Sequence, residues 1–344
     1  MKIALLAPPY LPVPPDGYGG TERIISSLTE GLVERGHDVT LFATGDSHTK
    51  AKLVSTFPTS IGNSGEIKAK PLIPLLQYID CFARAKEFDL IHNHAQYYAM
   101  FLADLVSTPV VHTLHGSIFK GEVPEEKRQV LSRFRHHNFI SISQNQQMAF
   151  VELNWRGVAY NGIDPSEFPY VEKGENYLLW VGRITPKKGA LEAIEVAKKT
   201  GMKLKLVGVV DPIDEPYFAS EVKPLIDGEH IELLGEVRGP EKAKLYGNAL
   251  ATLYPISWHE PFGLVMAESM ATGTPVIGFR IGSVPELIED GVTGFVVETV
   301  EQMGEAVKKI SEISRKKCRQ RVEQLFSTES MVKAYEKLYT QIIG

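Results

Sequence analysis

The sequence predicts an α/β protein made of two doubly wound units, each a parallel sheet with helices on both faces. Three observations lead there. Short apolar runs alternate with longer amphipathic stretches along nearly the whole chain. The alternation pauses over residues 165–176, which are polar and without a clear period, and then restarts. The length, 344 residues, suits two domains at roughly 100–200 residues each. Strands separated by helices imply parallel pairing with crossovers.

The elements follow in order. Lys2–Ala7 reads as a buried strand, and a Pro- and Gly-rich loop runs from Pro8 to Gly20. Thr21–Arg35 places Ile24, Ile25, Leu28, Leu32 and Val33 near helical spacing, and Gly36 stops it. Asp38–Ala43, Leu90–His92, Val110–Leu114, Phe139–Ile142 and Val158–Tyr160 are the further strands of the first half. The second half opens with the strand Tyr177–Val181 and a helix over Lys188–Lys199. Its later strands are Lys203–Val207, Ile231–Leu233, Ala251–Tyr254, Pro275–Ile277 and Phe295–Val297. A helix is expected from about Leu264 to Ala271, and Ser327–Ile343 reads as one amphipathic helix. The expected domains are therefore residues 1–165 and 166–326. The helix of residues 327–344 is left free to pack back on the first. Ligands of such sheets sit at the carboxyl ends of the strands, so a site in a cleft between the domains is expected.

Composition excludes several classes. Apolar residues make up 43% and charged residues 23%, which fits a globular chain with two buried cores. A formal charge of −5 gives no polyanion-binding surface, so nucleic acid is not an expected partner. Cys81 and Cys318 form no metal-ligand spacing and suit free thiols in a reducing, cytoplasmic setting. No apolar run reaches the 18 residues of a membrane span, and the apolar start at Ile3–Ala7 is too short for a signal-peptide core.

Three segments could carry chemistry. The first loop ends Gly17-Tyr18-Gly19-Gly20-Thr21-Glu22. It is either an anion-binding approach to a helix start or a tight turn capped by Thr21. It lacks the GxGxxG dinucleotide fingerprint. Gly182-Arg183 follows a strand and Lys187-Lys188-Gly189 opens the next helix, which is either a phosphate clamp or an ordinary basic loop. Last, Trp258-His259-Glu260-Pro261-Phe262-Gly263-Leu264-Val265 leads into a helix that contains Glu268. Two carboxylates near a helix start can hold sugar hydroxyls while the free N–H groups of Gly263, Leu264 and Val265 hold a phosphate. The alternative is a pair of solvated carboxylates.

The segments HEPFGLVMAESMATGTPVI, WVGRITPKKG, GSVPELI, GYGGTE, VHTLHG and NGID together resemble the retaining family 4 glycosyltransferases of GT-B fold. The resemblance extends over essentially the whole chain. It implies transfer of a hexosyl unit from a nucleotide diphosphate sugar to a hydroxyl acceptor, with retention of anomeric configuration. Arg183 and Lys188 resemble the residues that hold the donor diphosphate, beside Gly182. Glu268 matches the ribose carboxylate and Glu260 the carboxylate beside the transferred sugar. Phe262, Gly263, Leu264 and Val265 match the turn that reaches sugar and phosphate. His115 matches a histidine that contacts the donor sugar from the N-terminal domain. Gly19 and Gly20 match the loop over the donor phosphate and acceptor. Leu234-Gly235-Glu236-Val237 resembles the segment whose backbone reads the base. A UDP-sugar is the first expectation for the donor and GDP-mannose the second, on family frequency. No cofactor is expected, and the absence of Asp-x-Asp from the chain favours a metal-independent reaction.

Some features sit outside that pattern. Gly208-Val209-Val210-Asp211-Pro212 stands where many members have Gly-x-Gly. His92 and His94 end a strand and are either structural or acceptor-facing. Lys127, Arg128, Arg133, Arg135, His136 and His137 form a basic stretch, either a solvated face or a contact with an anionic membrane carrying a lipid acceptor. Trp180 and Trp258 are expected to pack, and Arg315–Arg321 to be solvated surface. Rival readings are a sugar phosphorylase or nucleotide-sugar epimerase on the same fold, or a non-catalytic nucleotide-sugar-binding subunit. The acceptor class stays open among saccharide, glycolipid and small molecule.

Overall fold

A computed structural model describes residues 1–17, 19–62, 70 and 72–344. Tyr18, inside the first glycine loop, lies outside the described residues. The chain divides into two compact units, Met1–Gly162 with Thr328–Gly344, and Ile163–Ser327. The divisions thus fall at 162/163 and 327/328, a few residues from the composition break.

The first unit holds a seven-stranded parallel sheet of order β3-β2-β1-β4-β5-β6-β7. Its strands are β1 (Lys2–Leu6), β2 (Asp38–Phe42), β3 (Lys52–Val54), β4 (Leu90–Asn93), β5 (Val110–His112), β6 (Asn138–Ser141) and β7 (Trp155–Val158). β3 was not expected from sequence. It is three residues long, at the sheet edge, and none of it is fully buried, so it carries no apolar run to read. Helix α1 (Gly20–Glu34) buries Ile24, Ile25, Leu28 and Leu32, the face its periodicity marked. It begins one residue before Thr21, with Gly19 at the cap position and no side-chain cap, so the capping role expected of Thr21 is not realised. The other long helices here are α2 (Leu72–Ala83) and α3 (Glu125–Arg133).

The second unit holds a six-stranded parallel sheet of order β10-β9-β8-β11-β12-β13. Its strands are β8 (Tyr177–Val181), β9 (Lys203–Val207), β10 (Ile231–Leu233), β11 (Ala251–Tyr254), β12 (Val276–Phe279) and β13 (Gly294–Val297). Its long helices are α4 (Ala190–Thr200), α5 (Gly239–Asn248), α6 (Leu264–Ala271), α7 (Val300–Lys309) and α8 (Arg315–Leu325). The central strands are buried on both faces, which is why they read as unbroken apolar runs.

Helix α8 corrects the expectation of solvated surface over Arg315–Arg321. Arg315 donates to the carbonyls of Val171, Gly247 and Ala249 and to the Thr274 hydroxyl, at 2.6–3.0 Å. Arg319 donates to the carbonyls of Pro165, Phe168 and Ala271. Arg321 donates to those of Glu286 and Leu287. A planar guanidinium with five donors can satisfy several loop ends at once. The basic run therefore fastens the loops of the second unit.

The last helix, α9 (Thr328–Ile343), packs on α1 and buries Met331, Val332, Tyr335, Leu338 and Tyr339 within the first unit. Arg35 reaches Glu336 at 2.6 Å across that contact.

Candidate active site

Each sheet reverses its winding once, between β1 and β4 in the first unit and between β8 and β11 in the second. Loops after strands on opposite sides of such a reversal diverge and leave room for a ligand. In the second unit these loops are 182–189 and 255–263, which hold the expected Gly182, Arg183, Lys188, Glu260, Phe262 and Gly263.

The loop after β8 carries Gly182 and Arg183, then a short 3-10 turn at Pro186–Lys188. Lys188 therefore does not open the helix as expected. Gly189 intervenes in the left-handed region (φ 76°), and α4 starts at Ala190. A Cβ on Gly189 would lie 2.0 Å from the Pro255 carbonyl oxygen, so only glycine lets the two loops approach here. Trp180 is buried and donates from Nε1 to the Lys188 carbonyl at 2.9 Å, which fixes the turn from below. Across the reversal, Lys188 Nζ forms an ion pair with Glu260 Oε2. It also lies 4.9 Å from the centroid of the Trp258 ring, a favourable place for a cation. Tyr254, at the end of β11, donates to the same Glu260 oxygen at 3.1 Å.

Arg183 pairs with Asp211 at 2.7 Å. Asp211 directly follows Val210, which stands where Gly-x-Gly would have its second glycine.

Phe262 is buried, and Gly263 takes φ 84° at the cap of α6. No side chain caps this helix start, which leaves the first-turn N–H groups of Gly263, Leu264 and Val265 as the natural anion seat. Ser283 holds the turn. Its N–H donates to the Glu260 carbonyl at 3.0 Å and its hydroxyl to the Phe262 carbonyl at 2.6 Å. Glu268 is 5% exposed. It accepts from Lys242 Nζ at 2.8 Å and from the Tyr246 hydroxyl at 2.9 Å. That geometry removes the alternative of a solvated helix carboxylate. Val237 lies in the loop 234–238 after β10, where Gly235 accepts from the Gly208 N–H at 2.8 Å.

At the ends of β4 and β5 the first unit sets neutral groups against one another. His92, His94 and His112 are wholly buried. His92 lies between the Tyr339 hydroxyl (2.6 Å) and the Thr113 hydroxyl (2.8 Å). This gives it a structural place. His94 Nδ1 meets His115 Nε2 at 2.9 Å. Burial lowers the His115 pKa to about 4 and that of His94 well below its ordinary value, so both are neutral near pH 7. Gly19 and Gly20 sit where the loop after β1 enters α1.

One group of metal-ligand type gathers among the described residues, Asp104 with His136 and His137, its ligand atoms within 4.8 Å of one another. Hydrogen bonding argues against a metal there. The Asn93 amide donates to the Gln96 carbonyl and its oxygen accepts from the Ala95 N–H, which fixes its orientation. Its Nδ2 then donates to His112 Nδ1 at 2.9 Å. His112 must carry its proton on Nε2, which faces His137 Nδ1 at 3.1 Å. His137 therefore carries its own on Nε2 and donates to Asp104 at 2.8 Å. A protonated nitrogen cannot ligate. In the basic stretch 127–137, Arg133, Arg135 and His136 are exposed, whereas Arg128 and His137 are drawn inward. Arg128 donates to the Ile118 and Ala149 carbonyls and covers the Phe150 ring at 4.5 Å, while His137 is 8% exposed.

Two family models match the chain. Glycosyltransferase Family 4 matches residues 18–167, and Glycosyl transferases group 1 matches residues 165–325. The chain belongs to the family 4 glycosyltransferases. Among its relatives, an uncharacterized glycosyltransferase of Methanocaldococcus jannaschii is 26% identical, over 86% of this chain and 85% of that protein. Sucrose-phosphate synthase from Thermosynechococcus elongatus superposes with a TM-score of 0.82 at 21% identity, covering 99% and 98% of the two chains. Anabaena HepE, solved in complex with UDP and glucose, gives 0.76 at 20% identity, over 99% of each chain. The two doubly wound units are thus those of the GT-B fold, as the sequence resemblance implied. Of the expected site residues, Gly182, Arg183, Lys188, Glu260, Phe262 and Gly263 lie in the two loops of the second reversal and Gly19 and Gly20 follow β1 at the first, whereas His115 follows β5, Val237 follows β10, and Leu264, Val265 and Glu268 lie on α6. Sequence reasoning missed Tyr254, Lys242, Tyr246 and Ser283. Only Ser283 lay inside a segment already singled out.

Proposed function

We propose that this glycosyltransferase moves a hexosyl unit from a nucleotide diphosphate sugar to a hydroxyl acceptor, with retention and without a metal. One observation carries the reading. Lys188 and Glu260, from loops on opposite sides of the sheet reversal, meet directly beside the uncapped start of α6. That collects a cation, free backbone donors and a carboxylate where a diphosphate and its sugar would lie. Arg183 and Lys188, with the N–H groups of Gly263, Leu264 and Val265, take the charge that develops on the leaving diphosphate. Glu268 holds the ribose, Glu260 the transferred sugar, and the backbone around Val237 the base. From the first unit, neutral His115 offers the donor sugar a hydrogen bond, and Gly19 and Gly20 admit the phosphate and acceptor. In retention the acceptor attacks the face from which the nucleotide leaves, and the departing phosphate oxygen takes the acceptor proton.

A UDP-sugar is favoured, with GDP-mannose second. HepE's complexes with UDP and UDP-glucose support that order. The acceptor is a saccharide, glycolipid or small molecule. A cytoplasmic setting is supported by the free, buried Cys81 and Cys318. No helix among the described residues is long and apolar enough to cross a membrane.

A thermal-shift screen of the full chain against UDP, GDP, ADP and their sugars tests the donor. A true ligand at 100 times its dissociation constant adds about 2.7 kcal/mol. Product NMR with the stabilising donor and a panel of acceptors then reads transfer and anomeric configuration. No stabilisation by any nucleotide overturns the donor assignment, and an inverted product overturns retention.

A further inference from the structure

Glu268 is held more tightly than a ribose ligand needs to be if its only task were to be present. It sits on α6 with both carboxylate oxygens engaged by one neighbouring helix, α5. Lys242 Nζ approaches Oε1 at 2.8 Å and the Tyr246 hydroxyl approaches Oε2 at 2.9 Å. Lys242 and Tyr246 are four residues apart, so they share a face of α5 and converge on one target. We infer that Lys242 and Tyr246 are positioning residues that set this enzyme's preference for a ribonucleotide donor, by fixing the Glu268 carboxylate as a two-sided acceptor for the ribose diol. The inference rests on the reading of Glu268 as the ribose ligand.

The chemistry of the three groups supports it. A terminal carboxylate torsion is broad, so a glutamate alone presents its oxygens over a wide arc. Here the arc is closed from two sides. Tyr246 is wholly buried. Burial first, and the Glu268 charge second, push its phenol well above the ordinary value, so it keeps its proton and donates. Lys242 is a donor without acceptor capacity. Glu268 is therefore an acceptor on both oxygens, and each oxygen retains a lone pair for a further donor. A vicinal diol offers two O–H donors at a spacing a carboxylate can span. A 2′- or 3′-deoxy sugar offers one and leaves the other oxygen with a missing partner, which is how a polar site rejects an analogue.

A purely structural role for the same contacts predicts something different. Removing one partner of a buried ion pair destabilises the protein and weakens every ligand alike. The ratio of affinities for ribo- and deoxyribonucleotides separates the two. The experiment titrates the full-length protein by calorimetry with UDP, GDP and ADP, then repeats the tightest of these in its 2′-deoxy and 3′-deoxy forms. It uses the native chain, Tyr246→Phe, Lys242→Gln and, as a control on the same helix, Lys244→Gln. The native chain and the control should prefer the ribonucleotide by about tenfold or more. Tyr246→Phe and Lys242→Gln should reduce that preference to within about threefold, mainly by weakening the ribo form. If Tyr246→Phe does not fold, Lys242→Gln carries the test, because Lys242 is partly exposed.

An unchanged preference in both variants, or equal weakening of ribo and deoxy forms, overturns the positioning role and leaves the donor assignment standing. Absence of nucleotide binding by the native chain overturns the donor assignment and this inference with it.

Discussion

The two units share one architecture and differ in how they satisfy the polar groups at their strand ends. The first unit uses neutral groups. His92, His94, His112 and His115 are linked to tyrosine, threonine, asparagine and one another. The second unit uses paired charges, Arg183–Asp211, Lys188–Glu260 and Lys242–Glu268. All histidines except His230 and His259 fall in the first unit. A sheet reversal makes a crevice whatever lines it. The lining decides what it can hold. Neutral donors and acceptors suit hydroxyl groups, whereas separable ion pairs suit a diphosphate, which can replace a carboxylate as the partner of a cation.

The largest expected effect breaks the charged half. Lys188→Met leaves Glu260, 14% exposed at its side chain, without its cation. Transfer should fall at least about a hundredfold, and stability by about 3 kcal/mol. The double change Lys188→Met with Glu260→Gln should regain most of the stability and none of the transfer. Denaturant unfolding and a turnover assay check both. Recovery of transfer in the double variant would show that Lys188 only neutralises Glu260.

The next prediction sharpens the contrast through pH. Burial lowers His112 to about 3 and His115 to about 4, from the ordinary 6.5. As pH falls below 6.5 the unfolded chain takes up these protons and the folded chain does not. The stability from this source is complete above pH 6.5 and is lost between there and about pH 4 for His115 and about pH 3 for His112. Each histidine contributes about 1.4 kcal/mol per pH unit over that range. Hydrogen exchange read segment by segment at pH 7 and pH 5, corrected for intrinsic rates, should show protection falling in the first unit well before the second. A parallel loss in both would remove the distinction.

A smaller effect divides the two glutamates. Glu268→Gln should weaken nucleoside diphosphate binding by about tenfold, whereas Glu260→Gln should leave that affinity nearly unchanged and lower turnover. Equal weakening by both would refute the division of roles. The smallest expected effect is none. Excess EDTA should leave the rate unchanged, and a loss restored by Mn²⁺ or Mg²⁺ would mean that the cations of the second unit do not suffice for the diphosphate.

Much of this was legible in the sequence, for physical reasons. Strands such as Tyr177–Val181 and Ala251–Tyr254 are buried on both faces, so their apolar runs declare them. The site residues lie in strand-to-helix loops where glycine and proline punctuate the chain. What sequence could not show is pairing at a distance. Lys242 and Glu268 are 26 positions apart, and nothing in GPEKAKLYGN announces a partner. Arg315, Arg319 and Arg321 look solvated because charge usually is, and only the fold brings buried carbonyls within their reach. Thr21 looked like a cap because threonine favours that place, but Gly20 is already helical.

The return of α9 to the first unit has a consequence for synthesis. The second unit is one unbroken stretch, complete in covalent terms once residue 327 has been made. The first unit, although begun earlier, still lacks Tyr335 and Tyr339 at that moment, and with Tyr339 the hydroxyl that meets buried His92. A ribosome therefore finishes this enzyme out of order. The half that starts first is the half that must wait, holding an incomplete core until the final helix emerges.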